Sequence, residues 1–232
     1  MKTDELKNLN ISLDKEKEQQ LLAYSKMFLQ YNAHTNLISK NDEKVLFEKH
    51  IFDSLAINLC PQIKECKNLM DIGTGGGFPA IPIALIFPQI NVLGVDSITK
   101  KINFINQLAQ NLEAKNLSAI ACRTEELNEK YRESFDIVTS RAVAPLNIIL
   151  EYAVPYIKTN GYFVAYKSKI VNEEIENAQN ALKTLNCEIK NIINYQLPLD
   201  ENFDRNLVII KKIKATPRKF PRKTGMAKTN PL

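Results

Sequence analysis

Four glycines within five residues, preceded by one aspartate and followed by another about 20 positions on, are the side chains here whose spacing suits nucleoside chemistry. The run Leu69-Met-Asp-Ile-Gly-Thr-Gly-Gly-Gly-Phe-Pro79 reads as a short apolar strand, a glycine turn and a helix start. Asp96 closes a second apolar run, Asn91-Val-Leu-Gly-Val-Asp96. An acid at that spacing grips ribose hydroxyls, and the exposed N–H groups of the turn and helix end are expected to face the ligand. Two ligands suit a glycine turn with a distal acid. Read from Gly75, the sequence Gly-Gly-Gly-Phe-Pro-Ala80 loosely matches the dinucleotide pattern; read from Gly73, Phe78 falls where a third glycine belongs. S-adenosylmethionine has no phosphate, and an acidic start at Asp71 suits a ligand carrying positive charge where it would repel a pyrophosphate. These features together favour S-adenosylmethionine.

The elements that must position these residues follow from periodicity. Residues 12–31 form an amphipathic helix with Leu21, Leu22, Ser25, Phe28 and Leu29 on one face and Ser12 or Asp14 as cap. A second helix starts at Asp42, across a polar connection, 32–39, held by Asn32 and Asn36. From residue 67 the pattern alternates, with strands at 68–72, 91–96, 118–122, 135–140, 161–167, 188–196 and 206–212 and helices at 79–87, 98–113, 146–157 and 171–186. Strands alternating with helices specify an α/β, doubly wound, mostly parallel seven-stranded sheet. The last two strands, joined through 197–202 without a helix, form an antiparallel edge hairpin. The division expected is an N-terminal helical extension over 1–66, a sheet domain over 67–212 and a basic tail over 213–232.

Charge and cysteine usage bound the partners. The net charge is +5, yet residues 211–232 carry eight Lys or Arg and no acid, which leaves −3 on the rest. Such a segment cannot bury enough to fold alone. Its Lys and Arg alternate with Pro and Phe220, which suits phosphate contact, with a disordered, solubilising end as the plainer alternative. Cys60, Cys66, Cys122 and Cys187 include no Cys-x-x-Cys pair and only two histidines accompany them, so no metal is expected and the thiols read as reduced and cytoplasmic. No uninterrupted apolar run of 18 residues argues for a membrane span, and no apolar run behind the first residues argues for a signal peptide. A monomer is the default expectation.

Residues along nearly the whole chain resemble the bacterial small-subunit ribosomal RNA guanine-N7 methyltransferases, also called glucose-inhibited division protein B. These are Tyr31-Asn32 with Asn36-Leu-Ile-Ser39, His50-Ile-Phe-Asp-Ser54, Asp71 to Pro79, Val95-Asp-Ser97 with Lys101, Arg123-Thr-Glu125, Ser140-Arg-Ala-Val-Ala144, Arg205-Asn-Leu-Val-Ile209 and Thr216-Pro-Arg-Lys-Phe-Pro-Arg-Lys223. The glycine turn is generic to methyltransferases; the Phe-Pro ending, the Ser-Arg-Ala segment and the Pro-Arg-Lys tail are far more specific. One departure is Gly76, where many relatives carry Pro or Ala. The resemblance implies a class I S-adenosylmethionine-dependent methyltransferase fold, Rossmann-like, acting on one guanine of 16S ribosomal RNA, alone or in the 30S subunit. By position it implies that Gly73 and Phe78, with Gly75 in the same turn, line the cofactor pocket, that Thr124 and Glu125 meet the adenine, and that Arg141 lies near the methionine end.

Guanine N7 has a free lone pair and no proton to lose, so no general base is needed and no catalytic side chain is singled out. Positioning and electrostatics carry such a transfer. Arg141, just beyond a buried strand end, suits a cofactor carboxylate or the base, with a salt bridge as the alternative. Asp96 caps the next helix, grips ribose, or both; Asp71 orders the turn; His34 and His50 read as packing residues. RNA contacts are expected at Arg218, Lys219, Arg222, Lys223, Lys167 and Arg205, with Lys100 and Lys101 as weaker candidates. Ending the chain after Lys212 is therefore expected to weaken RNA binding and leave cofactor binding intact, which filter binding and calorimetry on the shortened chain would measure.

Overall fold

A computed structural model describes residues 2–168, 171–199 and 203–232. Seven strands form one sheet: β1 (Asn68–Ile72), β2 (Asn91–Asp96), β3 (Leu117–Ala121), β4 (Phe135–Arg141), β5 (Ile157–Lys167), β6 (Cys187–Gln196) and β7 (Asp204–Lys212). Their order is β3-β2-β1-β4-β5-β7-β6. The first five run parallel, and β7 enters antiparallel between β5 and β6. The edge hairpin read from the sequence is thus a β6–β7 pair whose β7 strand is internal. Residues 200–202 of its connection lie outside the described residues.

Helix α1 (Lys15–Thr35) starts where the Asp14 carboxylate accepts the Lys17 N–H at 2.8 Å and ends at Asn36 in the left-handed region. Its buried face is Leu21, Tyr24, Phe28 and Asn32, whereas Leu22 is exposed, which corrects the stripe drawn from periodicity. The spacing of three, four and four keeps those residues on one side. Asn32 closes the following connection by exchanging hydrogen bonds with the Ile38 backbone, donating to its carbonyl and accepting its N–H. A π-helical turn, Phe47–Phe52, and a helical turn, Asp53–Leu55, then carry the chain across the carboxyl ends of the strands.

Helices α2 (Ala80–Ile86) and α3 (Thr99–Asn111) pack with α1 on one face of the sheet, in a single apolar core that includes Phe28, Phe78 and Phe104. On the other face lie α4 (Leu146–Ala153), α5 (Asn172–Asn177) and α6 (Gln179–Thr184). Helix α4 stops earlier than the pattern over 146–157 suggests. Pro155 cannot continue a helix, and a 3-10 turn over Val154–Tyr156 hands the chain to β5 four residues sooner than expected. The stretch 171–186 divides at Ala178 into two short helices.

The largest departure from the sequence reading is the tail. Phe220 is buried in the second core and Ala227 is buried beyond it. The Arg132 guanidinium donates to the carbonyls of Phe220 at 2.7 Å and Thr216 at 3.0 Å. The segment is folded against the body, which supplies the apolar slot, donors and carboxylates that its own composition lacks.

Candidate cofactor cleft and its polar seam

A cleft of about 1060 Å³ opens at the carboxyl ends of the parallel strands, where a doubly wound sheet binds its ligands. The glycine turn forms its floor. Gly73 has φ +69°, and an added Cβ would come within 2.3 Å of Val143 Cγ2, so a substitution there is strained and must displace the Val143 side chain. Five of the turn's N–H groups, all but that of Gly76, are bonded within the protein, contrary to expectation. Gly73 and Thr74 donate to the Val95 carbonyl, Gly77 and Phe78 to the Thr74 carbonyl, and Gly75 to Asp96 Oδ2 at 3.0 Å. Such a turn offers no cradle of free donors to a pyrophosphate, which removes the dinucleotide alternative on geometry. Asp96 also accepts the Ile98 N–H through Oδ1 at 2.9 Å, so one carboxylate ties the two ligand-facing turns together.

Beneath the turn, Asp71 is fully buried. Its Oδ1 accepts the Thr139 hydroxyl at 2.9 Å, and the buried Thr74 hydroxyl and the Ala80 N–H lie beside it and favour its charged form. Burial pushes the Asp71 carboxyl up to about 7, against the lowering effect of its hydroxyl neighbours. The Asp96 carboxylate lining the cleft, beside a turn whose donors are mostly taken, fits a cationic nucleoside such as S-adenosylmethionine better than a pyrophosphate.

One end of the cleft is walled by Thr124 and Glu125 after β3. Thr124 is buried and its carbonyl accepts the Tyr156 hydroxyl; Glu125 Oε1 accepts the Gly225 N–H at 3.1 Å. Arg123 stands exposed at the mouth. At the other end Arg141 leaves β4 and is held on three sides. It donates to Asp53 Oδ2 at 2.9 Å, to the Lys49 carbonyl at 3.3 Å and to His50 Nδ1 at 3.0 Å. Its guanidinium also lies 5.3 Å from the centre of the Phe78 ring. Asp53 is 4 % exposed and accepts the Tyr195 hydroxyl from β6 at 2.6 Å, with Arg205 of β7 at 3.9 Å. Because a guanidinium only donates, His50 Nδ1 is the acceptor and the ring proton sits on Nε2, a buried atom without a partner among the described residues. Burial and then Arg141 push the His50 pKa down to about 3, so the ring is neutral.

Gly73, Gly75, Phe78, Asp96, Thr124, Glu125 and Arg141 thus all line one cleft. Phe78 is also core, 5 % exposed, with ring centres of Tyr24, Phe28 and His50 at 5.6, 5.0 and 5.1 Å. Lys167 and Arg205 line the Arg141 end, Lys167 bonded to Glu174 and the Ala144 carbonyl. Arg218 and Lys219 are exposed, Arg218 beside Glu129 and Lys219 over the Phe220 ring, and Lys223 is exposed too. Arg222 needs correction as a free phosphate contact: it forms a two-pronged pair with Glu151, which is 1 % exposed. Sequence reasoning assigned no role to Asp53, Glu151 or Tyr195 and read His50 as packing alone. For Asp53 a signal existed, an acid inside the apolar run Ile51 to Ala56, which demands a buried partner.

Residues 17–208 match the family described as GidB, rRNA small subunit methyltransferase G. Two similar proteins bear the name ribosomal RNA small subunit methyltransferase G. That of Lachnoclostridium phytofermentans is 41% identical over 98% of this chain and 94% of its own. That of Acetivibrio thermocellus is 39% identical over 96% and 91%. Among solved structures, TYW2 of P. horikoshii in complex with MeSAdo aligns with a TM-score of 0.53 at 13% identity, covering 64% of this chain and 58% of that one. The branched-chain polyamine synthase of Thermus thermophilus aligns with a TM-score of 0.57 at 12% identity, covering 71% and 57%. These two share the fold. Among the described residues no helix is long and apolar enough to cross a membrane.

Removing Asp53 leaves the Arg141 charge enclosed without its counter-charge. Asp53→Ala is expected to cost about 3–5 kcal/mol of stability, read by urea denaturation. A second expectation concerns pH. The folded pKa of His50, about 3, lies below its ordinary 6.5, so between those values the unfolded chain binds more protons and stability falls as pH drops. Asp71, raised from 3.8 to about 7, works the other way: its contribution is full below 3.8 and is lost as pH rises through 7. Between pH 6.5 and 4.5, His50→Gln should gain relative to the unaltered chain by up to about 1.4 kcal/mol per pH unit. Asp71→Asn should flatten the loss between pH 5 and 8. Parallel curves for variant and parent would remove either assignment.

Proposed function

This chain belongs to the family described as rRNA small subunit methyltransferase G, and on that premise we propose that it transfers a methyl group from S-adenosylmethionine to N7 of a specific guanine in 16S ribosomal RNA. The observation that carries the reading is the inward-bonded glycine turn, with Asp96 above it, opening toward a wall of Lys49, Arg141, Lys167 and Arg205, the first three each held by a carboxylate. Bound in the cleft, S-adenosylmethionine supplies an electrophilic sulfonium methyl. Gly73, Gly75 and Phe78 shape the floor, Asp96 faces the ribose, and Thr124 and Glu125 bound the adenine. Arg141, fixed by Asp53 and His50, sets the methionine end and the place of the incoming base.

The chemistry asks little more of the protein. N7 attacks with a lone pair and gives up no proton, so a general base has nothing to remove. His50 matches that requirement: its Nδ1 is already an acceptor for Arg141 and its depressed pKa holds it neutral. Holding N7 in line with the methyl, in a cleft walled by packed side chains, is where the rate comes from. Lys167 and Arg205 are proposed to meet the nucleotides around the target, and Arg218, Lys219 and Lys223 the phosphates further along. Guanine N7 in an RNA helix lies in a deep, narrow groove, so the target base is proposed to be in a loop or turned out of its stack. We further read the protein as a cytoplasmic monomer in three segments, 1–66, 67–212 and 213–232.

The test is transfer of a labelled methyl group from S-adenosylmethionine to small subunits and to naked small-subunit RNA, both from cells lacking this protein, followed by nucleoside identification. The expected product is 7-methylguanosine, and the better acceptor identifies the substrate. Gly73→Ala, which drives a methyl into Val143, should reduce transfer to background. Label in any other nucleoside, or none with cofactor bound, would overturn the assignment.

A further inference from the structure

The tail does more than cover a core. After Phe220 enters its slot, Arg222 pairs with Glu151 through Nε and Nη2 and also donates its backbone N–H to Glu151 Oε1 at 2.9 Å. Arg222 then donates to the Asn230 carbonyl at 2.9 Å, which draws the intervening loop into a closed ring. That loop reaches the cleft. The Gly225 N–H donates to Glu125 Oε1 at 3.1 Å, the Thr224 hydroxyl donates to Glu126 at 2.7 Å, and Gly225 and Lys228 join the lining. Gly225 has φ +82°, a conformation that aims its N–H with no side chain in the way.

We propose that residues 224–228 are part of the cofactor site, acting as a strap that positions the Glu125 carboxylate at the adenine end. This rests on the cleft being the S-adenosylmethionine site. Glu125 stands on a single 3-10 turn, Thr124–Glu126, so its side chain would otherwise choose among several rotamers. With Oε1 held by Gly225, Oε2 is left with no hydrogen bond among the described residues and with its direction fixed, ready to accept from an adenine amino group. A carboxylate held by the protein's own backbone loses less freedom on binding, which is how a preformed contact raises affinity. Gly225 is thus a positioning residue, and Arg222 with Phe220 is the fastening that brings it there. This also replaces the expectation for a chain ended at Lys212: that cut removes the strap as well as the cations.

A chain ended at Lys223 keeps Phe220 and Arg222 and loses the strap. Calorimetry should show it binding S-adenosylmethionine about tenfold more weakly, a difference of about 1.4 kcal/mol. It should weaken 5′-methylthioadenosine by the same factor, because both carry the adenine. In turnover the KM for S-adenosylmethionine should rise while kcat at saturation stays near that of the full chain. In a Glu125→Ala background the same cut should add nothing, since both changes remove one interaction. Gly225→Ala in the full chain, strained at φ +82° and free of clashes, should move affinity in the same direction and guards against misfolding of the shortened chain. Unchanged affinity in both variants, or independent addition with Glu125→Ala, would overturn the strap. Failure of the full chain to bind S-adenosylmethionine would instead overturn the reading of the cleft.

Discussion

A guanidinium at the end of a central strand needs a counter-charge, and in this fold the N-terminal extension provides it. Arg141 and Asp53 lie far apart in sequence and meet at 2.9 Å under cover. Desolvating both charges is expensive, and a pair of this kind contributes little net stability over an apolar substitute of similar volume. What it contributes is definition. Asp53 also receives Tyr195 from β6 and stands beside Arg205 of β7, so one carboxylate registers the extension against three strands. Arg141 in turn fixes the tautomer of His50 and lies over Phe78. This end of the cleft takes its shape from those contacts, and the loss of either charge removes its own share of them and leaves the other charge enclosed without a partner.

The opposite end is organised by the same physics with the signs distributed differently. Residues 211–232 carry +8 and the remainder −3. Several of the body's acids face the tail: Glu129 meets Arg218, Glu133 meets the Thr216 N–H, Glu151 meets Arg222, and Glu125 and Glu126 meet the loop at Gly225. The exposed Arg218–Glu129 pair is worth little. The pair at Glu151 is a different case, because that carboxylate is enclosed and all its hydrogen bonds come from Arg222. A cationic segment that looks like a free arm by composition is therefore two things: a fastened half and an outward half whose lysines remain available.

How legible this was depended on the range of the interaction. The strands β1, β2 and β4 stand out because each is a short apolar run buried on both faces, and the glycine turn because its residue types admit few conformations. The buried face of a helix was less legible where a remote partner decides, as with Tyr24 replacing Leu22 on the buried face of α1. Arg141 and Arg222 are alike as letters, yet the first faces a ligand cleft and the second is tied to Glu151, 71 residues away. Nothing local distinguishes them. The direction of the turn's N–H groups was illegible for the same reason: Val95 and Asp96, which accept from Gly73, Thr74 and Gly75, lie on the neighbouring strand.

That inward turn connects the fold to its chemistry. A phosphate ligand rewards donors left free, because each free N–H gains a charged acceptor. A sulfonium nucleoside brings one carboxylate where a dinucleotide brings a pyrophosphate, so fewer free donors are rewarded and leaving many unbonded would cost stability. Here five of the turn's donors are bonded within the protein, and the turn becomes a rigid floor. Rigidity is the property a reaction without proton transfer most needs, since its rate depends on alignment. The Arg141–Asp53 seam at one end and the Arg222–Glu151 fastening at the other hold the two walls of the cleft to that floor. Polar groups that would serve as acids, bases or free anchors in other enzymes are here committed to holding geometry.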